Sequence, residues 1–335
     1  MSVNYEAKYY QNLNGKAACF LCPHLCQIKK GNYGICRVRK NENGKLIAKV
    51  YGKLIARHTD PIEKKPLYHF YPGKNIHSIG TAGCNLKCFF CQNCEISQAG
   101  ADSFGHISYT SPDELVELSR MERNNIGIAY TYNEPSINIE YIIDTAGKAK
   151  KHDLRNVMVS NGFISPEPLK DLIPLIDAFN IDLKAFSDAF YRKHTKSSIN
   201  PVKASLVEIS KSSSHLEITF LVIPGLNDDE EEFRQMVEWI YSNFGETQVL
   251  HLSRYFPGYK SSIPPTPVSV MNNFREIALE KLKYVFLGNV SGTEGHNTYC
   301  HSCGKLVIKR SFRVETNLNE KGECPECCTK ILNYF

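Results

Sequence analysis

The residues best suited to chemistry are 13 cysteines, which fall in three short groups along the chain. The central group occupies the run Gly83-Cys84-Asn85-Leu86-Lys87-Cys88-Phe89-Phe90-Cys91. Three thiolates at this C-x3-C-x2-C spacing can hold three irons of a [4Fe-4S] cluster, and the fourth iron then keeps a position open for a substrate or cofactor. Zinc fits this group less well, because structural zinc sites use paired knuckles.

The two outer groups have the spacing of closed metal sites. The N-terminal group comprises Cys19, Cys22, Cys26 and Cys36. Four soft ligands in one short segment can close a tetrahedral zinc site or hold an auxiliary iron-sulfur cluster; the spacing leaves both open, with a slight preference for zinc. The C-terminal group comprises Cys300, Cys303, Cys324 and Cys327. Its two C-x2-C knuckles predict a structural zinc that clasps the end of the chain, with Cys328 as a spare thiol or alternative ligand.

Strand and helix patterns alternate from residue 76 onward and must position the central group. Apolar runs predict strands over residues 76–80, 126–130, 156–159, 180–183, 215–223, 249–253 and 284–287. A capping box from Ser111 to Glu114 and an acidic cluster near Asp229 predict helix starts between them. The alternation predicts a parallel sheet, open or curved into a barrel, with its chemistry at the C-terminal strand ends. The segments after those ends are 81–91, 131–135, 160–162, 184, 224–227 and 254–255.

Composition narrows the class of protein. No run approaches the ~20 apolar residues of a membrane span, and residues 1–16 lack the hydrophobic region of a signal peptide. We therefore expect a cytoplasmic protein without a membrane partner, whose thiols stay reduced and available for metal. The net charge of +5 includes no long basic block, and the charge by itself neither argues for nor excludes a nucleic-acid partner. We do not expect nucleic acid as the main partner, because a nucleic-acid-binding function leaves the central cysteine loop unexplained.

The run from Gly83 to Cys91 resembles the signature of the radical S-adenosylmethionine (radical SAM) superfamily, in which an aromatic residue, here Phe90, precedes the third cysteine. Together with the runs at 130–135 and 180–184, it is similar to activating enzymes of glycyl-radical enzymes such as pyruvate formate-lyase. The sequence looks most like the radical SAM enzymes of the AmmeMemoRadiSam system. Matching segments extend from Cys19 to Cys327, over nearly the whole chain.

The resemblance implies roles for particular residues. Cys84, Cys88 and Cys91 would be the catalytic cluster ligands, and S-adenosyl-L-methionine (SAM) would chelate the fourth iron. The residues expected to contact SAM are Phe90, Asn133, Glu134, Ser160, Asn161, Gly162, Asp182 and Lys184. Phe90 would lie near the adenine, Glu134 would accept hydrogen bonds from the SAM ammonium, and Lys184 would pair with its carboxylate.

Cys94 complicates this assignment, because it extends the central run to C-x3-C-x2-C-x2-C. Four thiols could close a cluster and remove the open position. The resemblance assigns that position to SAM, so we expect Cys94 to be a free thiol beside the site.

The resemblance also implies an architecture: a partial (βα)6 TIM-like barrel over residues 71–290. A Cys-rich segment (1–70) would precede the barrel, and a zinc-ribbon-like segment (291–335) would follow it. It further implies flavodoxin or ferredoxin as electron donor, and cooperation with AMMECR1-like and Memo-like proteins. The substrate stays open between a partner protein, as for a glycyl-radical enzyme activase, a small molecule and RNA.

Two other functions fit parts of the sequence. Asn133-Glu134-Pro135 after a strand also resembles the acid/base element of barrel glycosidases, with Glu217 or Glu294 as the second carboxylate. A zinc-dependent nucleic-acid-binding protein would account for the outer cysteine groups. Neither alternative accounts for the central loop.

Overall fold

The computed structural model describes residues 4–292 and 294–335. Up to residue 48, the chain forms two small antiparallel sheets, in the orders β1-β6-β5 and β2-β3-β4. Their strands are β1 (Tyr5–Glu6), β2 (Tyr10–Leu13), β3 (Lys16–Cys19), β4 (Gln27–Ile28), β5 (Arg39–Glu42) and β6 (Lys45–Ala48). The N-terminal cysteines lie on and between these short strands.

An eight-stranded sheet follows, in which the strands succeed one another in chain order. They are β7 (Ala56–Pro61), β8 (Asn75–Gly80), β9 (Asn125–Tyr130), β10 (Arg155–Ser160), β11 (Ala178–Asp182), β12 (His215–Val222), β13 (Val249–Arg254) and β14 (Tyr284–Gly288). Strand β7 pairs with β8 antiparallel, and every pair from β8 to β14 is parallel. Six successive β-α units followed by a last strand confirm the predicted α/β fold.

The helices cross between these strands. They are α1 (Cys94–Ser97), α2 (Pro112–Met121), α3 (Ile139–Lys150), α4 (Pro166–Leu172), α5 (Asp188–Phe190), α6 (Ile199–Ser210), α7 (Glu230–Phe244) and α8 (Val268–Leu279). Short 3-10 turns cover Ile62–Lys64, Pro135–Asn138, Ile173–Leu175 and Glu294–His296, and a π-helical turn covers Tyr191–Thr195. Within the described residues, no helix combines the length and apolar character needed to cross a membrane.

Two predicted helix starts are confirmed in detail. Ser111 Oγ accepts from the Glu114 backbone N–H at 3.1 Å, and Glu114 Oε2 accepts from the Ser111 N–H at 3.4 Å. Asp229 caps α7 by accepting from the Glu232 N–H at 2.8 Å. Both side chains satisfy backbone donors that a first helical turn leaves free.

Strand β7 and helix α6 are among the elements absent from the sequence-based expectation. Strand β7 reads Ala-Arg-His-Thr-Asp-Pro, and its polar, partly exposed pattern is typical of a loop. It forms a strand because it pairs along its whole length with β8. Helix α6 carries Pro201 near its start, where the missing N–H costs little, so the proline does not break the helix.

The C-terminal segment forms a small sheet of β15 (Thr298–Tyr299), β16 (Leu306–Arg310) and β17 (Val314–Thr316). It packs against residues near the N-terminal ends of the parallel strands. The Arg310 guanidinium lies 4.3 Å from the Tyr68 ring centre and donates to Thr298 Oγ1 at 3.0 Å. The Tyr284 hydroxyl is 2.7 Å from His301 Nδ1.

Glu217 ties this same end of the sheet together. Its buried carboxylate accepts from the backbone N–H groups of Tyr68 (2.9 Å) and His69 (2.7 Å). Nε2 atoms of His215 and His251 also contact it. Because four partners occupy its carboxylate, Glu217 has a structural role. It is not available as the second catalytic carboxylate of a glycosidase. The Glu294 side chain lies outside the part of the chain that the structure describes.

We predict that Glu217→Gln destabilises the fold by about 3 kcal/mol or more, because an amide NH2 group would face buried donors. Burial opposes ionisation of Glu217, but hydrogen bonds from His215 and His251 outweigh it and hold its pKa well below its usual range. The stabilisation is therefore complete above the ordinary glutamate pKa of about 4.3 and is lost as the pH falls through the lowered one. Thermal unfolding from neutral pH down to about pH 3 measures both effects.

Glu238→Gln is the matched control, since Glu238 pairs with Lys281 on the surface. It is expected to change stability by no more than about 0.5 kcal/mol. An equal loss of stability in the two variants would contradict the structural role assigned to Glu217.

Candidate active site

One cavity of about 250 Å³ lies at the C-terminal ends of the parallel strands. Cys84, after the first parallel strand, and Asn289, after the last, both line it. In a flat sheet these two positions would be separated by six strand spacings of about 4.8 Å. The sheet is therefore curved, and the predicted site residues meet inside the curve.

Most of the predicted site residues line this cavity. They are Cys84, Cys88, Phe90, Cys91, Asn133, Glu134, Ser160, Asn161, Asp182 and Lys184. Gly162 is the exception, because it does not line the cavity. Its φ is +67°, and a Cβ at this position would come 2.9 Å from the Ile181 Cγ2 atom. Gly162 thus permits the turn.

The cysteine loop presents its thiols to the cavity. Cys84 Sγ accepts from the Leu86 N–H at 3.3 Å and from the Asn161 side-chain amide at 3.7 Å. Cys91 Sγ lies 2.9 Å from Ser97 Oγ. Burial raises the pKa of Cys84, and it raises the pKa of Cys88 to about 11. A bound metal cation would stabilise the thiolate form of these cysteines against this effect of burial.

Asn133 braces this loop from the neighbouring strand. Its side-chain amide donates to Thr81 Oγ1, Ala82 O and Gly83 O at 3.2, 3.3 and 2.9 Å, and its Oδ1 accepts from the Thr81 N–H at 3.1 Å. These contacts fix the backbone that leads into Cys84. Asn133 positions the loop in addition to lining the cavity.

Glu134 makes the equivalent connection to the next strand. Its carboxylate accepts from Ser160 Oγ and Asn161 N–H, both at 2.8 Å, and from Ser136 N–H at 3.0 Å. The side chain is only 2% exposed, and burial raises its pKa. A carboxylate offers about four acceptor positions, so one is left for a ligand.

Asp182 and Lys184 form an ion pair of 3.0 Å in the cavity wall. They lie two residues apart at the end of β11, as the sequence indicated. Burial opposes the charge of Lys184, but Asp182 and Cys88 outweigh it, so the lysine pKa is raised. The Lys184 ammonium therefore stays charged beside the thiols.

The sequence analysis did not identify the residues of β12, β13 and the end of β14 that line the cavity. Residues 224–227 and 254–255 were expected there, but β12 is long enough that its interior residues reach the level of the cavity. The additional lining residues on this side are Thr219, Leu221, Ser253 and Asn289. The Asn289 side-chain amide donates to Ser253 Oγ at 3.2 Å. Alternation within the long strand was the available signal for Thr219 and Leu221.

Similarity to known proteins identifies the family. A sequence model of the radical SAM superfamily matches residues 78–240, which contain the cysteine loop and the strands from β9 to β12. Residues 78–240 form a domain of the radical SAM superfamily. An uncharacterized protein of Methanocaldococcus jannaschii is 41% identical over 97% of this chain and 98% of its own length.

Two further comparisons show other proteins to which the chain is similar. The (2S)-3-sulfopropanediol dehydratase activating enzyme of Klebsiella oxytoca is 19% identical over 37% of this chain and 39% of its own length. The solved structure of a radical SAM methyltransferase from Sphaerobacter thermophilus shares the fold with a TM-score of 0.50, at 14% identity over 71% of each chain. Membership of the radical SAM superfamily implies a [4Fe-4S] cluster and SAM.

The C-terminal cysteines of this radical SAM enzyme converge on one point. Their four Sγ atoms lie within 4.8 Å of one another, with 3.5 Å from Cys300 to Cys327 and 3.6 Å from Cys303 to Cys324. Metal–sulfur bonds of about 2.3 Å in a tetrahedron place sulfurs about 3.8 Å apart. The group therefore has the spacing for one metal ion.

The N-terminal cysteines have a different arrangement. All four line a single small cavity together with the buried Arg39. Among the described residues, only the C-terminal group brings three or more potential ligands within 4.8 Å. Among the described residues, the N-terminal cysteines therefore lack the close sulfur spacing that fits the C-terminal group to a single metal ion.

Cys328 occupies a backbone position that normally belongs to glycine. Its φ is +59°, and its N–H donates to Cys324 O at 2.9 Å. Gly304 has the same place after the first knuckle, with a φ of +76° and an N–H donated to Cys300 O at 2.9 Å. This correspondence favours Cys328 as a turn residue over an alternative ligand.

We predict that Cys328→Gly keeps the C-terminal metal and that Cys327→Ala loses it. Glycine accepts a positive φ without strain, and the thiol of Cys328 is not needed for binding. Metal content per chain after gel filtration measures the result. Loss of metal in both variants would show that Cys328 is a ligand.

Proposed function

We propose that this radical SAM enzyme holds its [4Fe-4S] cluster on Cys84, Cys88 and Cys91 and binds SAM in the cavity beside them. The supporting observation is one cavity that collects a three-thiol loop after β8 and a charged pair after β11. A cluster needs sulfur ligands, and an amino acid carboxylate needs a cation. Both requirements are met by residues that line one cavity.

The donor set fits a cluster with an open position. Cys94 begins α1 and does not belong to the cavity lining, so three thiols face the space. The Asn161 amide contacts Cys84 Sγ at 3.7 Å, and hydrogen bonds of this kind tune a cluster's reduction potential. When bound and reduced, the cluster supplies the electron that cleaves SAM into methionine and a 5′-deoxyadenosyl radical, which abstracts hydrogen from the substrate.

The chain's own residues would orient SAM. Lys184 presents an ammonium for the carboxylate and is itself held by Asp182. Glu134 keeps one acceptor position for the SAM ammonium. Phe90 is buried beside the thiols and offers an apolar surface for the adenine. The apolar side chains of Phe90 and Leu221 also help to exclude water, which a reactive radical requires.

A partner protein is a second candidate for the substrate. The observation that favours it is homology to the activating enzyme of (2S)-3-sulfopropanediol dehydratase. By this reading, the chain would act as a glycyl-radical enzyme activase, with hydrogen abstracted from a glycine backbone of the partner. Flavodoxin or ferredoxin would donate the electron. AMMECR1-like and Memo-like proteins are the partners that the AmmeMemoRadiSam resemblance proposes.

The outer cysteine groups complete the proposal. We assign zinc to the C-terminal group, on its single-ion spacing, and a metal centre, zinc or an iron-sulfur cluster, to the N-terminal group. We also propose that the segments 1–70, 71–290 and 291–335 are three functional parts of the chain. Strand β7, which belongs to the first segment, pairs with β8 and joins that segment to the main sheet.

Anaerobic reconstitution with iron and sulfide tests the central proposal. We predict that addition of SAM and dithionite yields 5′-deoxyadenosine and methionine. Liquid chromatography with mass spectrometry measures both products, and omission of dithionite is the control. A reducible cluster that neither binds SAM nor releases 5′-deoxyadenosine would disprove the function. Deuterium transfer from labelled candidate substrates into the product would then identify the substrate class.

We further predict that Cys94→Ala retains SAM cleavage, whereas Cys91→Ala reduces it to background. The first substitution removes a thiol outside the cavity, and the second removes a proposed ligand. Iron content and 5′-deoxyadenosine formation are measured in parallel. Equal loss in the two variants would show that the site uses four thiols.

A further inference from the structure

The three cysteine groups differ in how closely their sulfur atoms approach one another. In the C-terminal group all four Sγ atoms lie within 4.8 Å, which is the spacing of ligands around one metal ion. No three sulfurs of the N-terminal group come that close, and no three sulfurs of the central loop do so, both groups being described throughout. In the spacing of its sulfurs, the N-terminal group therefore resembles the cluster loop and differs from the C-terminal group.

This difference in spacing bears on the kind of metal centre that the N-terminal cysteines can hold. A zinc ion binds all its thiolates directly, and bonds of about 2.3 Å keep the sulfurs about 3.8 Å apart. An iron–sulfur cluster distributes its thiolates over several iron atoms, so the sulfurs are spread more widely. Four cysteines that line one cavity without single-ion spacing therefore fit a cluster better than zinc.

The cavity of the N-terminal cysteines is kept open by a glycine. Gly34 lines it together with the four cysteines and several aliphatic side chains. A Cβ atom at Gly34 would come 3.1 Å from Ile28 Cδ1 and 3.7 Å from Cys26 Sγ, so a larger side chain would crowd the space beside that sulfur. The Cys19 N–H donates to Cys26 O at 2.9 Å and fixes two of the ligands relative to each other.

Arg39 lines the same cavity and carries a donor without a partner. The side chain is 1% exposed. Its two terminal nitrogens contact the Glu140 carboxylate at 2.9 and 3.2 Å and donate to the carbonyl oxygens of Lys8 and Ile137. Its Nε atom has no hydrogen-bond partner among the described residues. Because an unsatisfied buried donor is costly, an acceptor bound in the cavity is expected to use it.

We propose that the N-terminal cysteines bind an iron–sulfur cluster and that the Arg39 Nε–H group donates a hydrogen bond to one of its sulfur atoms. The proposal deepens the metal centre already assigned to this group by selecting a cluster over zinc. It rests on the proposed function in one respect, since the central loop serves as the comparison for cluster spacing. A cluster with four cysteine ligands has no open iron, so this cluster is expected not to respond to SAM.

Mössbauer spectroscopy of the full chain, reconstituted anaerobically with labelled iron and sulfide, tests the cluster. In wild type we expect two cluster signals, of which SAM changes only one. The triple variant Cys84→Ala/Cys88→Ala/Cys91→Ala should keep the signal that SAM leaves unchanged. The double variant Cys22→Ser/Cys26→Ser should lose that signal together with its iron and sulfide, while its zinc content stays at the wild-type value.

The outcomes separate this proposal from the proposed function. A single cluster signal in wild type, or loss of zinc instead of iron in Cys22→Ser/Cys26→Ser, would overturn the N-terminal cluster. Wild-type protein with two cluster signals, neither of which responds to SAM, would contradict the proposed function and support the N-terminal cluster. Retention of iron and sulfide by the triple variant also decides the question if the double variant does not fold.

Arg39→Lys tests the hydrogen bond, because lysine keeps a positive charge beside Glu140 and lacks the Nε–H group. Arg192→Lys is the matched control, since Arg192 is exposed and pairs with Asp188 on the surface. Redox titration followed by electron paramagnetic resonance measures both midpoint potentials. Arg39→Lys is expected to make the potential of the SAM-insensitive cluster more negative, because hydrogen bonds to cluster sulfurs favour the reduced state. The SAM-responsive cluster and the control should stay near wild type, and an unchanged potential in Arg39→Lys would overturn the role of Arg39.

Discussion

Two consecutive side chains at the end of β9 hold the active-site cavity together. Asn133 binds the backbone before Cys84, and Glu134 binds the end of β10. Parallel strands fix the positions of their own ends, but the loops beyond them have no ladder partners. Because one dipeptide satisfies polar groups on both neighbouring loops, it links the ends of three strands. These hydrogen bonds fix the positions of the thiols relative to the residues that face them.

The elements that could be predicted were those determined by residues close together in the sequence. Apolar runs placed the strands within a few residues, and the capping box at Ser111 and the cap at Asp229 marked helix starts. The C-x3-C-x2-C spacing located the site because its chemistry depends on near neighbours in the chain. Strand β7 was not predicted because it is stabilised by pairing with β8, and its own polar composition gives no sign of that pairing.

The contacts that depend on curvature could not be read from the sequence. Ser253 and Asn289 reach the cavity because the sheet bends back toward Cys84. Glu134 was expected to serve a ligand, and the structure shows that three internal donors already use most of its capacity. Each case requires knowledge of which distant residues become neighbours.

The close approach at Gly83 has a consequence for how the chain can be divided. No side chain separates this glycine from the Cys36 carbonyl oxygen, so the N-terminal segment forms one wall of the catalytic loop. A fragment beginning at residue 71 would contain every proposed cluster ligand and still leave that wall bare, along with the edge of β8 that β7 covers. The structural support of the proposed catalytic loop therefore begins well before the family-matched region, and it includes the segment that carries the N-terminal cysteines.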